Sequence, residues 1–355
     1  MVSNENIKYI NYNELKTFCS ELFKSEGIPS EEAEIIADNL VQANLRGVDS
    51  HGVSRMPIYM KRLKLGLVNP VCKTKIEKKS VSTAVINGCN SMGAVVGYKA
   101  MNYAINEAKE KGIFFVAVNN SNHFGTAAFY AMMALEHNMI GFSTSNAPSS
   151  MAPWGGYKPF FGTNPFSFAI PADKRAPIVI DMATSVVARG KIILALKNNK
   201  KIPEGWAINK EGEVTTDPRE ALEGSVLPFA GPKGYSIALL IDVLCGILSG
   251  AVYGPHINSL YDNFEEPQNI GHCFAAIDIS KLIDPAEFKN KVDKMIEEIK
   301  SSPKAKHVEE IYLPGEIEFN TQKERIEKGI PLTIPVIKEL KYLGKSYNVN
   351  TDLFE

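Results

Sequence analysis

The residues best equipped for chemistry stand close together in the chain, as Asp49-Ser50-His51-Gly52-Val53-Ser54-Arg55 with Tyr59 just beyond. If the backbone turns helical near Gly52, then His51, Arg55 and Tyr59 lie four residues apart and share one face. An imidazole moves a proton near neutral pH, and a guanidinium clamps a carboxylate through two parallel hydrogen bonds. A proton donor beside a carboxylate clamp suits a 2-oxo or 2-hydroxy acid. The same residues also read as a capping, solvated turn. Pro57, comfortable only in a first helical turn, sets the following helix to begin near Ser54. Ser50 next to His51 raises the thought of a nucleophile and its base. Adjacent side chains rarely aim at each other, however, and no oxyanion signature accompanies them.

Two helices must deliver this stretch. Residues 13–25 carry Leu15, Phe18 and Leu22 on one stripe, with Asn13 as the expected cap and Gly27 and Pro29 as the stop. A second helix opens at Ser30, where Glu31 and Glu32 meet the positive end of the dipole. Its stripe is Ala33, Ile36, Ala37 and Leu40, and Gly47 closes it. The segment 50–65 is expected to be the third helix of this lobe.

From residue 81 the pattern alternates. Strands are expected over 81–86, 113–118, 140–144, 166–170 and 178–180, with helices over 94–109 and 126–137, which means an α/β domain. Sheet ends are where such proteins place their sites, so His123, Ser145, Asn146 and Asp181 stand out, although each alone reads equally as a cap. Gly162-Thr163-Asn164-Pro165 reads as a turn, and residues 206–212 as a hairpin-like excursion. Gly231-Pro232-Lys233-Gly234-Tyr235 opens an apolar helix over 236–248, and amides at a helix start beside a lysine suit a phosphate or carboxylate. A late strand over 274–278 and a helix over 285–300 follow. The tail after Lys304 reads as charged and Pro-punctuated, with Leu313-Pro314-Gly315-Glu316 as its one tight turn.

Composition narrows the function classes. Lys and Arg (39) nearly balance Asp and Glu (40) in 355 residues, which speaks against nucleic-acid and anionic-membrane partners. The start has no apolar run, so no signal peptide is expected, and the apolar stretch 237–252 is too short and too polar to span a bilayer. Five scattered cysteines, never spaced C-x-x-C, fit free thiols in a reducing cytoplasm. No G-x-G-x-x-G, Walker loop, G-x-S-x-G or H-E-x-x-H is present. Six histidines lack ligand spacing, so no metal site is expected.

Taken together, the motifs resemble one family, the malate/L-lactate dehydrogenases of the non-Rossmann type. That family is also known for ureidoglycolate, sulfolactate and diketogulonate dehydrogenases and for cyclic imino-acid reductases. The resemblance is carried in order by Arg46-Gly47-Val48-Asp49-Ser50-His51-Gly52, Asn120-Ser121-Asn122-His123-Phe124-Gly125, Ala152-Pro153-Trp154-Gly155-Gly156, Gly162-Thr163-Asn164-Pro165, Asp181-Met182-Ala183, Gly231-Pro232-Lys233-Gly234-Tyr235 and Leu313-Pro314-Gly315-Glu316. It covers nearly the whole chain and accounts for the missing dinucleotide fingerprint.

The resemblance implies an α/β fold with a non-Rossmann NAD(P)-binding sheet and a helical N-terminal lobe. Residues 1–72 would form the lobe, with 305–355 packing on it, and 73–304 the cofactor and substrate domain. An obligate homodimer is implied, its active site between lobe and cofactor domain. His51 would be the acid/base, Arg55 the carboxylate holder, and Ser50 and Thr163 would hydrogen-bond substrate oxygens. Tyr59 and His123 would line the same pocket, His123 near the nicotinamide. Ile178, Val179, Ile180, Asp181, Met182 and Ala183 resemble the cofactor-contacting strand end, and Pro232, Lys233, Gly315 and Glu316 match dinucleotide contacts. The implied reaction is NAD- or NADP-dependent interconversion of a small 2-hydroxy and 2-oxo acid, without a metal. Reduction of a cyclic imino acid, or an idle dinucleotide-binding protein, are the alternatives. Substrate selection would rest on residues around Met151, Trp154 and Lys158.

Overall fold

The computed structural model describes residues 7–197 and 199–355. It opens with strand β1 (Ile7–Ile10), α1 (Tyr12–Ser25) and α2 (Ser30–Leu45). The cap of α1 is Asn11 rather than Asn13, its side chain accepting from Asn13 (2.9 Å) and Glu14 (3.3 Å). The expected stripe of Leu15, Phe18 and Leu22 is buried.

Residues 50–65 do not form one helix. Two short 3-10 turns, Asp49–His51 and Val53–Arg55, flank an extended Gly52 (φ −86°, ψ −151°), and only then does α3 (Met56–Lys64) begin. The cause sits on α2. Asn44 Oδ1 accepts the Val53 N–H at 2.8 Å, and a Cβ on Gly52 would lie 2.1 Å from that oxygen. Pro57 falls in the first turn of α3, where its missing N–H costs nothing.

The chain then runs through β2 (Lys75–Lys78), β3 (Thr83–Asn87), α4 (Gly93–Lys111), β4 (Ile113–Ser121), α5 (Ala127–Met133), β5 (Met139–Ser145), β6 (Phe166–Ile170) and β7 (Ile178–Met182). After α6 (Arg189–Lys197), the pieces β8 (Ala207–Ile208), β9 (Val214–Thr215) and β10 (Ser225–Val226) make a small antiparallel sheet beside α7 (Pro218–Glu223), so the hairpin expected near 206–212 is present. Helix α8 (Pro232–Asp242) continues into a π-helical stretch, Val243–Leu248. Then come β11 (Ile270–Asp278), α9 (Pro285–Lys300), α10 (Glu316–Lys328), β12 (Ile330–Thr333) and α11 (Ile334–Ser346).

The main sheet is seven-stranded and mixed, in the order β2-β3-β4-β11-β5-β6-β7, and only β3 and β4 run parallel. The latest strand therefore sits at the centre, antiparallel to both neighbours. This arrangement buries nearly every residue of β11 and accounts for the apolar run from Cys273 to Ile277. The tail after Lys304 is more structured than its charge suggests. β12 pairs with β1, and α11 buries Ile337, Leu340 and Leu343. One hydrophobic core joins Leu22, Ile36 and Met56 of the N-terminal helices to Phe114, Val116 and Phe274 of the sheet. Burial of each such aromatic ring contributes about 1.5–3 kcal/mol. A second cluster, including Met151, Phe161, Ile192 and Ala238, lies beneath α8. Among the described residues no helix is long and apolar enough to cross a membrane.

Candidate active site

The turn 49–55 is held from both ends of the chain. Arg325 of α10 grips the Asp49 carboxylate with two nitrogens (2.7 and 3.1 Å), and Asn44 donates to the same group at 2.6 Å. Within the turn, Ser50 Oγ lies 3.0 Å from His51 Nδ1. Adjacent side chains do aim at each other here, contrary to the expectation from sequence, because the tight 3-10 turn folds them together. Arg55 donates from Nε to the Ser50 carbonyl (2.7 Å), and its guanidinium carbon lies 5.3 Å from the centre of the Tyr261 ring. Among the described residues neither terminal nitrogen of Arg55 has a hydrogen-bond partner. A free fork of this kind matches a carboxylate.

Tyr59, on α3, meets His123, in the loop after β4, with its hydroxyl 2.6 Å from His123 Nδ1. The Gly125 N–H also points at that nitrogen (3.3 Å). A backbone N–H can only donate, so Nδ1 is an acceptor, Tyr59 donates, and the neutral ring carries its proton on Nε2. Gln268 holds the His123 N–H at 3.1 Å. The rings of His51 and His123 stack with centroids 5.7 Å apart and planes 21° apart. His51, Arg55, Tyr59 and His123 thus converge, through the tertiary fold and not through one helical face.

Both imidazoles are kept neutral at pH 7. Burial, with Arg55 adding to it, pushes His51 down to about 4. His51 nevertheless keeps a partly exposed edge. His123 is lowered well below its ordinary value by burial and then by the charge of Arg55. Burial raises the Tyr59 hydroxyl, which stays a donor. Behind His123, the ring of Phe124 stacks on His272 (4.6 Å, 0°). His272 is itself fixed by Ser145 and Ser121, each at 2.9 Å.

The second group of expected site residues gathers at the β7 edge. Ile178 and Val179 are buried, Ile180 and Ala183 are half-buried, and Asp181 and Met182 are exposed. The Val179 N–H donates to Pro314 (3.0 Å), and Gly315 (φ +88°) approaches so closely that a Cβ would sit 2.8 Å from Val179 Cβ. Glu316 accepts the Leu313 N–H (2.9 Å) and pairs with Lys300, so its carboxylate closes its own turn. Although Asp181 keeps an exposed edge, desolvation by the surrounding chain raises it to about 6, opposed by the Ala128 N–H and by Arg46.

Thr184 donates both its N–H (2.8 Å) and hydroxyl (2.9 Å) to the Thr163 carbonyl, setting Thr163 at the end of β7. The Thr184 carbonyl accepts from Phe229 (3.0 Å), drawing in the loop whose Pro232 and Lys233 are exposed. Trp154 stacks over Gly231 in that loop. Among the described residues no hydrogen bond joins Thr163 to Ser50, His51 or Arg55. Ser145 and Asn146, the other polar residues at strand ends, turn inward: Ser145 bonds His272, and Asn146 bonds the buried Asp242 at 3.2 Å.

Asn44, Arg325, Tyr261 and Gln268 hold the site and went unnoticed in the sequence. Arg325, Tyr261 and Gln268 act across long separations, and Asn44 acts across a helix end on Asp49 and Val53, on partners that no local motif signals.

With this geometry established, comparison places the chain. The malate/L-lactate dehydrogenase family profile matches residues 10–341. The chain is 42% identical to a malate dehydrogenase of Pyrococcus horikoshii over 98% of its own length and 97% of the relative's. It is 31% identical to a ureidoglycolate dehydrogenase (NAD+) of Escherichia coli K12, over 88% of this chain and 89% of that one. The solved sulfolactate dehydrogenase of Methanocaldococcus jannaschii superposes with a TM-score of 0.92 at 42% identity, covering 97% of this chain and 99% of that one. Motifs, fold and full-length similarity agree, and this chain belongs to the malate/L-lactate dehydrogenase family.

Proposed function

We propose that this protein is an NAD(P)-dependent dehydrogenase that interconverts a 2-oxo acid and its 2-hydroxy acid at the Ser50, His51, Arg55, Tyr59 and His123 cluster. The observation that carries the reading is the free Arg55 fork beside a serine-paired imidazole that keeps an exposed edge. Arg55 would take the substrate carboxylate. His51 would give a proton to the carbonyl oxygen in reduction and take it back in oxidation, with Ser50 holding its Nδ1 side. Binding of an anion at Arg55 offsets the charge that depresses His51, so its proton affinity rises when substrate arrives. The Tyr59 and His123 pair, neutral and fixed in tautomer, would orient the reacting carbon, and Thr163 would hydrogen-bond a substrate oxygen.

The β7 edge suits a nicotinamide dinucleotide in its chemistry. Exposed Asp181 offers an acceptor for ribose hydroxyls, and exposed Lys233 stands among the first amides of α8, a fitting place for a diphosphate. The close packing of Gly315 on Val179 keeps the turn at 313–316 tight against the strand end. In Glu316 the carboxylate is occupied, so its part would fall to the backbone. A bound nicotinamide would supply or accept the hydride.

Residues 1–72 with 305–355 form the lobe in this reading, supported by the β1–β12 pair and the Arg325–Asp49 clamp. A homodimer is supported by the exposed apolar side chains of Leu240 (53%), Ile247 (60%) and Leu248 (57%) on α8 and its extension. Four buried free cysteines fit a reducing cytoplasm.

Malate and sulfolactate, named for the relatives above, each carry a second anionic group, so oxaloacetate and sulfopyruvate head the test. Oxidation of NADH and NADPH is followed separately with these, pyruvate and oxalurate. Turnover of at least one 2-oxo acid is expected. Folded protein that oxidises neither cofactor with any of them would sink the reading.

A further inference from the structure

Arg62 lies on α3, three residues beyond Tyr59, and is only 1% exposed. A buried cation is tolerated when its donors are used, ordinarily by a carboxylate. Here its Nη1 donates to the carbonyls of Leu260 (3.3 Å) and Asn263 (2.7 Å), and Nη2 to that of Glu266 (3.1 Å). The planar fork thus spans a segment that has no helix or strand of its own. That segment carries two side chains that touch the reaction residues. The Tyr261 ring lies against Arg55, and Gln268 holds the His123 backbone. Arg62 Nε and Asn122 Oδ1 are both buried without a partner among the described residues. The two residues line one small void together with Tyr59 and His123.

We propose that Arg62 is a positioning residue for the reaction: it ties residues 260–266 to α3, so that Tyr261 aligns Arg55 and Gln268 sets His123. The proposal rests on the roles assigned to Arg55 and His123 above. It requires a fork, so a lysine of equal charge cannot replace it.

The test uses the full-length protein as Arg62→Lys, Gln268→Ala, Tyr261→Leu and the double variant Arg62→Lys/Gln268→Ala, read by steady-state kinetics and by hydrogen exchange. Arg62→Lys is expected to raise KM for the oxo acid about tenfold, the loss of a well-aligned charged contact. Exchange should rise in residues 259–268 and 121–125, while α9 exchanges as in the wild type. Because Arg62 acts through Gln268, the double variant should be little worse than Arg62→Lys alone. Wild-type KM and wild-type exchange at 259–268 would overturn the proposal. So would additive losses, or exchange raised everywhere including α9, which mark a merely structural role. If the wild type turns over no substrate, the proposed reaction fails. Exchange at 121–125 then decides the Arg62 claim by itself.

Discussion

Tyr59 and His123, 64 positions apart in the chain, are joined by a 2.6 Å hydrogen bond in which the phenol donates to Nδ1. This bond couples helix α3 to the loop that follows β4. Tyr59→Phe keeps the ring and removes the bond, worth about 1 kcal/mol. A roughly fivefold fall in kcat/KM is expected, with stability lowered by about 1 kcal/mol or less. Unaltered kinetics would mean that the Gly125 amide alone suffices to hold His123.

Arg55 presents a free fork whose Nε is already committed to the Ser50 carbonyl. A lysine keeps the charge and loses both the parallel bonds and that anchor. Arg55→Lys should therefore raise KM for every carboxylate substrate by about 10- to 100-fold, with a smaller effect on kcat. An unchanged KM across such substrates would count against the clamp.

The pH profile follows from His51, held at about 4 against an ordinary 6.5. Oxidation of the hydroxy acid needs the neutral ring, so its kcat/KM should stay level from alkaline pH down past 6.5 and drop only towards 4. Reduction needs the protonated ring, so its kcat/KM should fall as pH rises from that low value. Arg55 is the second cause of the depression. Arg55→Met should therefore shift the inflection upward, measured on whatever activity survives. An oxidation profile that breaks at or above 6.5 would remove the acid/base assignment or its electrostatic account.

Much of this site was legible in the sequence. His123, just past β4, comes beside His51 and Tyr59, whereas Asp181 lies within β7 and joins a separate group of residues. His51 and Arg55 stood out by residue type. Their geometry did not, since the four-residue spacing of His51, Arg55 and Tyr59 promised a helical face that Asn44 breaks at Gly52. That intrusion comes from a neighbouring helix, and no local pattern signals it. The segment that bears Tyr261 and Gln268 stayed hidden for a related reason. Its partner Arg62 binds backbone carbonyls, which every residue type offers alike. The tail read as charged and Pro-punctuated because α10 has no fully buried residue, although Arg325 on it holds Asp49.

His272 gives a stability prediction. Fully buried, it is pushed down to about 3 from 6.5. The folded state binds fewer protons there, so the stability it contributes is complete above pH 6.5 and is lost as pH falls towards 3. The slope for one such group is about 1.4 kcal/mol per pH unit. Asp181 and Asp242, both raised to about 6, act in the opposite sense below that pH. His272→Gln should flatten the acid loss relative to wild type in urea unfolding between pH 6.5 and 4. Parallel curves for the two proteins would contradict the assignment.

The most direct test of the central claim is to follow the transferred atom. Reduced nicotinamide dinucleotide deuterated at its transferable position is incubated with the 2-oxo acid that the enzyme turns over, and the product is analysed by mass spectrometry. The account predicts one deuterium at carbon 2 of the hydroxy acid, the hydroxyl proton coming from water by way of His51. It also predicts that His51→Ala still binds cofactor yet slows this transfer by about 10²- to 10⁴-fold. Product without deuterium at carbon 2, or His51→Ala transferring it at the wild-type rate, would contradict the account.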